Sequence, residues 1–234
     1  MREKTTTNLI ELNHKGIKML LRPYSTDEKV FNEVVVKHNY EKKSFKIEPE
    51  ETWLDLGANI GTFTRYAISK GAHVIAYEPE ISNFNLLVKN LEGFEENSKC
   101  FQKAVIAGDN KEMGLSLGKD ETNHWRHSLY KNKKGGVVKV ECININKVIT
   151  SKITGIKMDI EGGEIEIFDK LEDWKNVTKL VFEYHFDIQP NMFKFFQQMK
   201  KLKKHFTVVD YGSMPTGIVE YKFFPPARTI FCSK

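Results

Sequence analysis

One stretch, Trp53-Leu54-Asp55-Leu56-Gly57-Ala58-Asn59-Ile60-Gly61 followed by Thr62 to Ala67, restricts the fold more than any other part of the 234-residue chain. Trp53, Leu54 and Leu56 read as the end of a buried strand, and the two glycines with Asn59 between them read as a tight turn into a helix. Seventeen residues after Gly61, Glu78 ends a second apolar run, His73 to Tyr77. An acid at the tip of the second strand of a βαβ unit is where a nucleotide-type cofactor has its ribose hydroxyls bound.

The spacing is Asp-x-Gly-x-x-x-Gly rather than the Gly-x-Gly-x-x-Gly of dinucleotide enzymes. The dinucleotide pattern sets bare backbone and a helix N-terminus against a diphosphate. Here the carboxylate of Asp55 is expected to face the loop, where it would repel a diphosphate and tolerate an ammonium or sulfonium. That combination suits S-adenosylmethionine, which has a ribose and no phosphate.

The rest of the chain extends this βαβ start. Residues 8 to 22 alternate like a hairpin, and Ser25-Thr26-Asp27-Glu28 offer caps for a helix with Val30, Phe31, Val34 and Val35 on one face. Tyr40 and Phe45 are placed to pack this addition down, and Arg22, Asp27 and Tyr40 could equally border the cofactor pocket. A helix over Ile81 to Leu91 and a third strand over Cys100 to Ala107 follow. Two strands, Glu112 to Leu117 and Gly136 to Ile145, flank a polar loop carrying His124, Trp125, Arg126 and His127, candidates to touch a substrate.

A second dense motif, Ile156-Lys157-Met158-Asp159-Ile160-Glu161-Gly162-Gly163-Glu164, predicts a fourth strand ending at Asp159 and a helix after the glycine pair. Leu180 to His185 is a fifth strand ending in Glu183 and His185. Asn191 to Lys204 is an amphipathic helix, and Phe206 to Val209 and Arg228 to Cys232 are the last strands. In an open α/β sheet the carboxyl ends of parallel strands line the ligand crevice. Asp55, Glu78, Asp159 and Glu183 should therefore gather at one edge.

Composition narrows the class further. With 40% hydrophobic residues, a chain of this length can bury a full core. No apolar run reaches the roughly 18 residues of a membrane helix, and Met1 to Thr5 does not read as a signal peptide, so the expectation is a cytoplasmic protein without a membrane partner. Three cysteines, Cys100, Cys142 and Cys232, lack metal-type spacing and lie in or beside strand patterns. The net charge of +5 comes mainly from lysine clusters at 131 to 134 and 200 to 204. No RNA-binding aromatic motif or helix-turn-helix signature accompanies them.

Asp-Leu-Gly-Ala-Asn-Ile-Gly at 55 to 61, Tyr-Glu-Pro at 77 to 79, Lys-Met-Asp-Ile-Glu-Gly-Gly-Glu at 157 to 164 and Glu-Tyr-His at 183 to 185 together resemble the FkbM family of class I S-adenosylmethionine-dependent methyltransferases. The resemblance covers roughly residues 20 to 233. It implies a Rossmann-like α/β fold, a seven-stranded mostly parallel sheet with helices on both faces and an antiparallel last strand. Residues 1-48 would then be an N-terminal hairpin and helix addition, a lid or platform in the same domain, and 49-234 the methyltransferase domain. The resemblance also implies methylation of a hydroxyl, often on a sugar or glycosylated product such as one carrying rhamnose.

Carried over residue by residue, the resemblance gives Asp55, Gly57, Ala58, Asn59 and Gly61 the methionine end of the cofactor, Glu78 the ribose, and Pro79 and Ala104 the adenine. A sugar hydroxyl is a very weak acid and needs a general base or a metal. Asp159, Glu183 and His185 are the candidates for the base, His185 by its intrinsic pKa. Asp159 and Glu183, as hard oxygen donors, are the candidates to hold Mg²⁺ or Mn²⁺, and Glu161 to bind the acceptor. Two other readings stand beside a glycan O-methyltransferase. One is a nucleic-acid methyltransferase, favoured by the lysines; the other is a non-catalytic S-adenosylmethionine-binding domain, for which Asp159, Glu183 and His185 would not converge.

Overall fold

The computed structural model describes residues 8–118, 127–129, 136–171, 173–188, 191–210 and 227–234. A hairpin, β1 (Ile10–His14) and β2 (Ile17–Leu21), opens the described chain. A short helix follows, α1 (Asp27–Phe31), which runs on through one π-helical turn, Asn32–Val36. Then come β3 (Thr52–Leu56), α2 (Thr62–Ser69), β4 (His73–Tyr77), α3 (Ile81–Asn90) and β5 (Ser98–Phe101).

The middle of the chain holds β6 (Ala104–Ile106), β7 (Glu112–Ser116), β8 (Val137–Asn144) and α4 (Ile145–Val148). The last part holds β9 (Gly155–Met158), α5 (Glu164–Lys170), β10 (Lys179–His185), α6 (Met192–Leu202), β11 (Val208–Asp210) and β12 (Ala227–Ser233).

Seven strands form the main sheet in the order β11-β12-β10-β9-β3-β4-β5. Neighbours from β10 to β5 pair in parallel, and β12 runs antiparallel to both β10 and β11. The sheet centre is buried on both faces, so even the two charged residues of β3 and β9, Asp55 and Lys157, are buried. Leu54, Leu56, Ile156, Leu180 and Phe182 face one core cluster; Trp53, Val74, Val181 and Phe231 face the other. Chain order reverses between β3 and β9, so the crevice at their carboxyl ends is the topological switch point.

The expected third strand, Cys100 to Ala107, is two strands. Phe101 O accepts the N–H of Glu78 and of Lys103, which turns the chain after Phe101. Ala104–Ile106 then leaves the main sheet, pairs in parallel with β8 and belongs to a separate three-stranded sheet, β6-β8-β7.

The hairpin and α1 share a core with the main sheet: Ile17, Met19, Leu21, Phe31, Val34 and Val35 pack with Trp53, Phe63 and Leu87. Asn90 on α3 fixes this docking, accepting from Leu20 N at 2.7 Å and donating to Leu20 O at 3.1 Å and Ile60 O at 2.9 Å. At the start of α1, Ser25 Oγ accepts Asp27 N at 3.2 Å while Thr26 makes no side-chain cap bond, and buried Asp27 takes two bonds from the Arg22 guanidinium. The three cysteines are free thiols, Cys232 buried and the others half-buried. Among the described residues, no helix is long and apolar enough to cross a membrane.

Candidate active site

The loop after β3 is shaped by one close approach. Gly57 has φ +77°, and a Cβ there would stand 1.9 Å from the backbone oxygen of Asp159. Only a glycine lets the β3 loop lie against the chain leaving β9. Asp159 N donates to Leu56 O at 2.9 Å, which locks the two loops together. Gly57 N and Ala58 N both donate to Tyr77 O at 3.0 Å, so the β4 tip is tied in as well.

A cleft partly open to solvent runs along these three strand ends. Gly57, Ala58, Asn59, Glu78, Pro79 and Ala104 line one part, and Lys157, Asp159 and Glu161 another. Val30, Val34 and Tyr40 line it from the N-terminal segment, and His127 and Leu129 from the segment before β8. Of the loop candidates, His127 is in the wall and its Nδ1 accepts from Gly118 N. His124, Trp125 and Arg126 lie outside the described residues.

Glu78 is buried and held on several sides. Its carboxylate accepts Asn59 N at 2.8 Å, Glu80 N at 2.9 Å and a bond from the Asn83 side chain. Burial nevertheless dominates and pushes its pKa up to about 7. The Asn83 amide is in turn oriented by Arg22, whose guanidinium donates to Asn83 Oδ1 at 2.9 Å.

Next to Asp159 and Glu161 of the cleft wall, His185 is buried among carboxylates. Its Nδ1 is 3.3 Å from Glu164 Oε1, and its Nε2 is 3.6 Å from both Asp159 Oδ1 and Glu161 Oε1. Burial alone would lower the imidazole pKa. The Glu164 hydrogen bond and the charges of Glu164, Asp159 and Glu161 outweigh it and carry the pKa to about 10. Glu183 is half-buried, and desolvation together with the charge of Asp159 pushes its pKa to about 7. It accepts from the Tyr40 hydroxyl at 3.3 Å.

The sequence matches the family described as the methyltransferase FkbM domain over residues 55–206, a span that takes in both loop motifs and the whole cleft edge from β3 to β10. The chain belongs to the FkbM methyltransferase family. No curated protein matches it by sequence. Among solved structures, the fold is similar to that of a Pyrococcus abyssi tRNA (uracil-54, C5)-methyltransferase in complex with S-adenosyl-L-homocysteine. There the TM-score is 0.51 at 13% identity, over 96% of this chain and 43% of that one. This chain therefore spans less than half the length of that enzyme. It is also similar to a proposed rRNA methylase from Clostridium thermocellum, with a TM-score of 0.51 at 10% identity, over 86% of this chain and 95% of that one. At these identities the likeness is one of fold.

Three expectations change in the FkbM chain. Asp55 does not face the cleft: it is fully buried, accepts from Thr64 Oγ1 at 2.7 Å and pairs with Lys157 Nζ at 3.1 Å. Its alternation on β3 points it below the loop, where Lys157, which also donates to Gly57 O at 2.8 Å, ties β3 to β9. Gly61, at φ +89°, also serves packing, since a Cβ there would sit 2.6 Å from Leu87 Cδ1 on α3.

The third change concerns the acids. Among the described residues, the ligand atoms that converge within 4.8 Å belong to Asp159, Glu161 and His185. Glu183 is not among them because its carboxylate turns to Tyr40. The surrounding carboxylates favour the protonated form of His185, which opposes the role of base expected for it. Sequence reasoning missed Lys157 and Glu164. A lysine between Ile156 and Met158 on a buried strand was the available signal for the first; Glu164 looked like an ordinary first-turn acid.

Proposed function

We propose that this FkbM methyltransferase uses S-adenosylmethionine to methylate a hydroxyl of a sugar or glycan. One observation carries the reading: a single cleft is lined by the buried Glu78 carboxylate and by Asp159 and Glu161, the two acids that stand beside His185. Glu78 accepts the ribose hydroxyls, with Pro79 and Ala104 beside the adenine. The methionine end lies along Gly57, Ala58 and Asn59. The acceptor oxygen attacks the methyl carbon in line as the carbon–sulfur bond breaks, and the sulfonium leaves as a neutral thioether. The hydroxyl proton passes to the Asp159 carboxylate, which lies in the cleft wall. Alignment of the two reactants contributes several kcal/mol of the barrier reduction.

The chemistry of the walls favours a neutral hydroxyl-rich acceptor. Asp159 and Glu161 in the wall attract hydroxyl donors and repel a phosphate backbone. The lysines of α6 supply the nucleic-acid alternative, and of these Lys201 is paired with Asp169. The test is to incubate the protein and labelled S-adenosylmethionine with rhamnose- and hexose-containing glycans and, in parallel, with RNA. Label in a glycan ether supports the proposal. Label only in RNA, with salt-dependent binding, replaces it with the nucleic-acid reading.

A further inference from the structure

We infer that Arg22 and Asn83 are positioning residues of the cofactor site: Arg22, directly after β2, sets the Asn83 amide so that its NH₂ meets the Glu78 carboxylate. The inference rests on the reading of Glu78 as the ribose acceptor. Arg22 Nη2 lies 2.9 Å from Asn83 Oδ1. A guanidinium carries donors only, so the amide atom facing it is the oxygen and the nitrogen is turned away from it. The Asn83 side chain also bonds to Glu78, and an ionised carboxylate takes a donor there. The two partners thus fix the amide in one orientation.

Each member is held from behind. Asn83 is buried and lines the cleft, and its backbone is set by the α3 cap, where Glu80 Oε2 accepts Asn83 N at 2.7 Å. The Arg22 side chain, 11% exposed, is gripped by buried Asp27, whose Oδ2 accepts Nε at 2.8 Å and whose Oδ1 accepts Nη2 at 2.9 Å. Asp27 Oδ2 also accepts Arg22 N at 3.0 Å, and Ser25 Oγ donates to Arg22 O at 2.7 Å. A planar fork held on both oxygens of one carboxylate turns little, so Nη2 stays aimed at Asn83.

Two backbone donors, Asn59 N on Oε2 and Glu80 N on Oε1, anchor the Glu78 carboxylate. The Asn83 amide adds a donor whose direction depends on the N-terminal segment. A reversed amide would set its carbonyl oxygen against the carboxylate, two acceptors with no proton between them. Glu78 would then lose the geometry in which it takes the ribose hydroxyls. Val30 and Val34 of the same segment line the cleft, so the hairpin and helix addition supplies both a wall and the orientation of the ribose site. A residue that only stapled the hairpin to α1 would make the same Asp27 bonds and have no effect specific to the ribose.

The test is calorimetry on the full chain at pH 8, comparing S-adenosylhomocysteine with its 2′,3′-dideoxy analogue, which lacks the hydroxyls that Glu78 accepts. The wild type should prefer the hydroxylated ligand by about tenfold or more. In the double variant Arg22→Met with Asp27→Asn, chosen so that no buried carboxylate is stranded, that preference should fall by about threefold or more. The fall should come from weaker S-adenosylhomocysteine, with the dideoxy analogue within about twofold of its wild-type value. Asn83→Leu, which leaves Arg22 on Asp27, should reduce the preference at least as much. Circular dichroism identifies a double variant that has not folded, and Asn83→Leu then decides alone. A preference unchanged in the variants, or equal weakening of both ligands, overturns the inference; equal weakening would leave Arg22 a staple between the hairpin and α1. A wild type that binds both ligands equally would instead remove Glu78 as the ribose acceptor, and the inference with it.

Discussion

The two ends of the cleft treat charge in opposite ways. Under the β3 loop, Asp55 is matched by Lys157 and Thr64 and withdrawn from the cleft, so the charge holds the fold together. Beyond the β9 loop, Asp159 and Glu161 stand around one histidine and line the cleft. Gly57 joins the two regions, because the backbone of one touches the backbone of the other through it. A charge paired inside the sheet is architecture, whereas a carboxylate in a cleft wall is placed to meet a ligand.

The largest effect should come from the acceptor end. Asp159→Asn is expected to lower turnover at least tenfold, and by as much as 10²–10⁴-fold if the carboxylate is the proton acceptor. Affinity for S-adenosylhomocysteine should stay within about threefold. Single-turnover kinetics beside calorimetry checks both, and equal losses in the two would erase the division between the ends. Lys157→Met is the complementary break: it strands Asp55 in a dry interior and should cost about 3–5 kcal/mol in urea unfolding. A cost below about 1 kcal/mol would mean that the Asp55 pair is not architectural.

The pH response sharpens the comparison at the cofactor end. Ribose hydroxyls donate best to an ionised carboxylate, and Glu78 titrates near 7. The dissociation constant of S-adenosylhomocysteine should therefore rise by up to tenfold per unit as pH falls below 7 and be flat above 8; Glu78→Gln should flatten the profile throughout. Stability of the free protein runs the other way. The folded pKa of Glu78 lies above its ordinary value, so its contribution is full below about pH 4.5 and is lost as pH rises through 7. Glu183, also near 7, acts in the same direction. Urea unfolding at pH 5.5 and 8 should show this as up to about 2 kcal/mol for Glu78. The smallest effect expected is from Tyr40→Phe, which removes the bond to Glu183 and should cost about 1 kcal/mol of stability or a few-fold in turnover.

What could be read from sequence was local. Strand periodicity, the glycine turns and acids at strand tips located the sheet, the Glu78 end and the β9 motif, because each is written within a few residues. The charge pairing was not, because Asp55 and Lys157 meet only through β3–β9 registry across about a hundred residues. Glu161 was placed only as an acceptor contact. It joins the histidine because the chain turns at positive φ there and again at Gly162, which no periodicity announces. Nor does a strand pattern tell Ser98–Phe101 from Ala104–Ile106, which pair in different sheets.

The most direct test of the central claim is a calorimetric titration of S-adenosylhomocysteine into the wild-type chain and into Glu78→Ala at pH 8. The account predicts one site per chain in the wild type and at least tenfold weaker binding in the variant. No binding to the wild type, or equal binding to both, would contradict the assignment of this cleft to the cofactor.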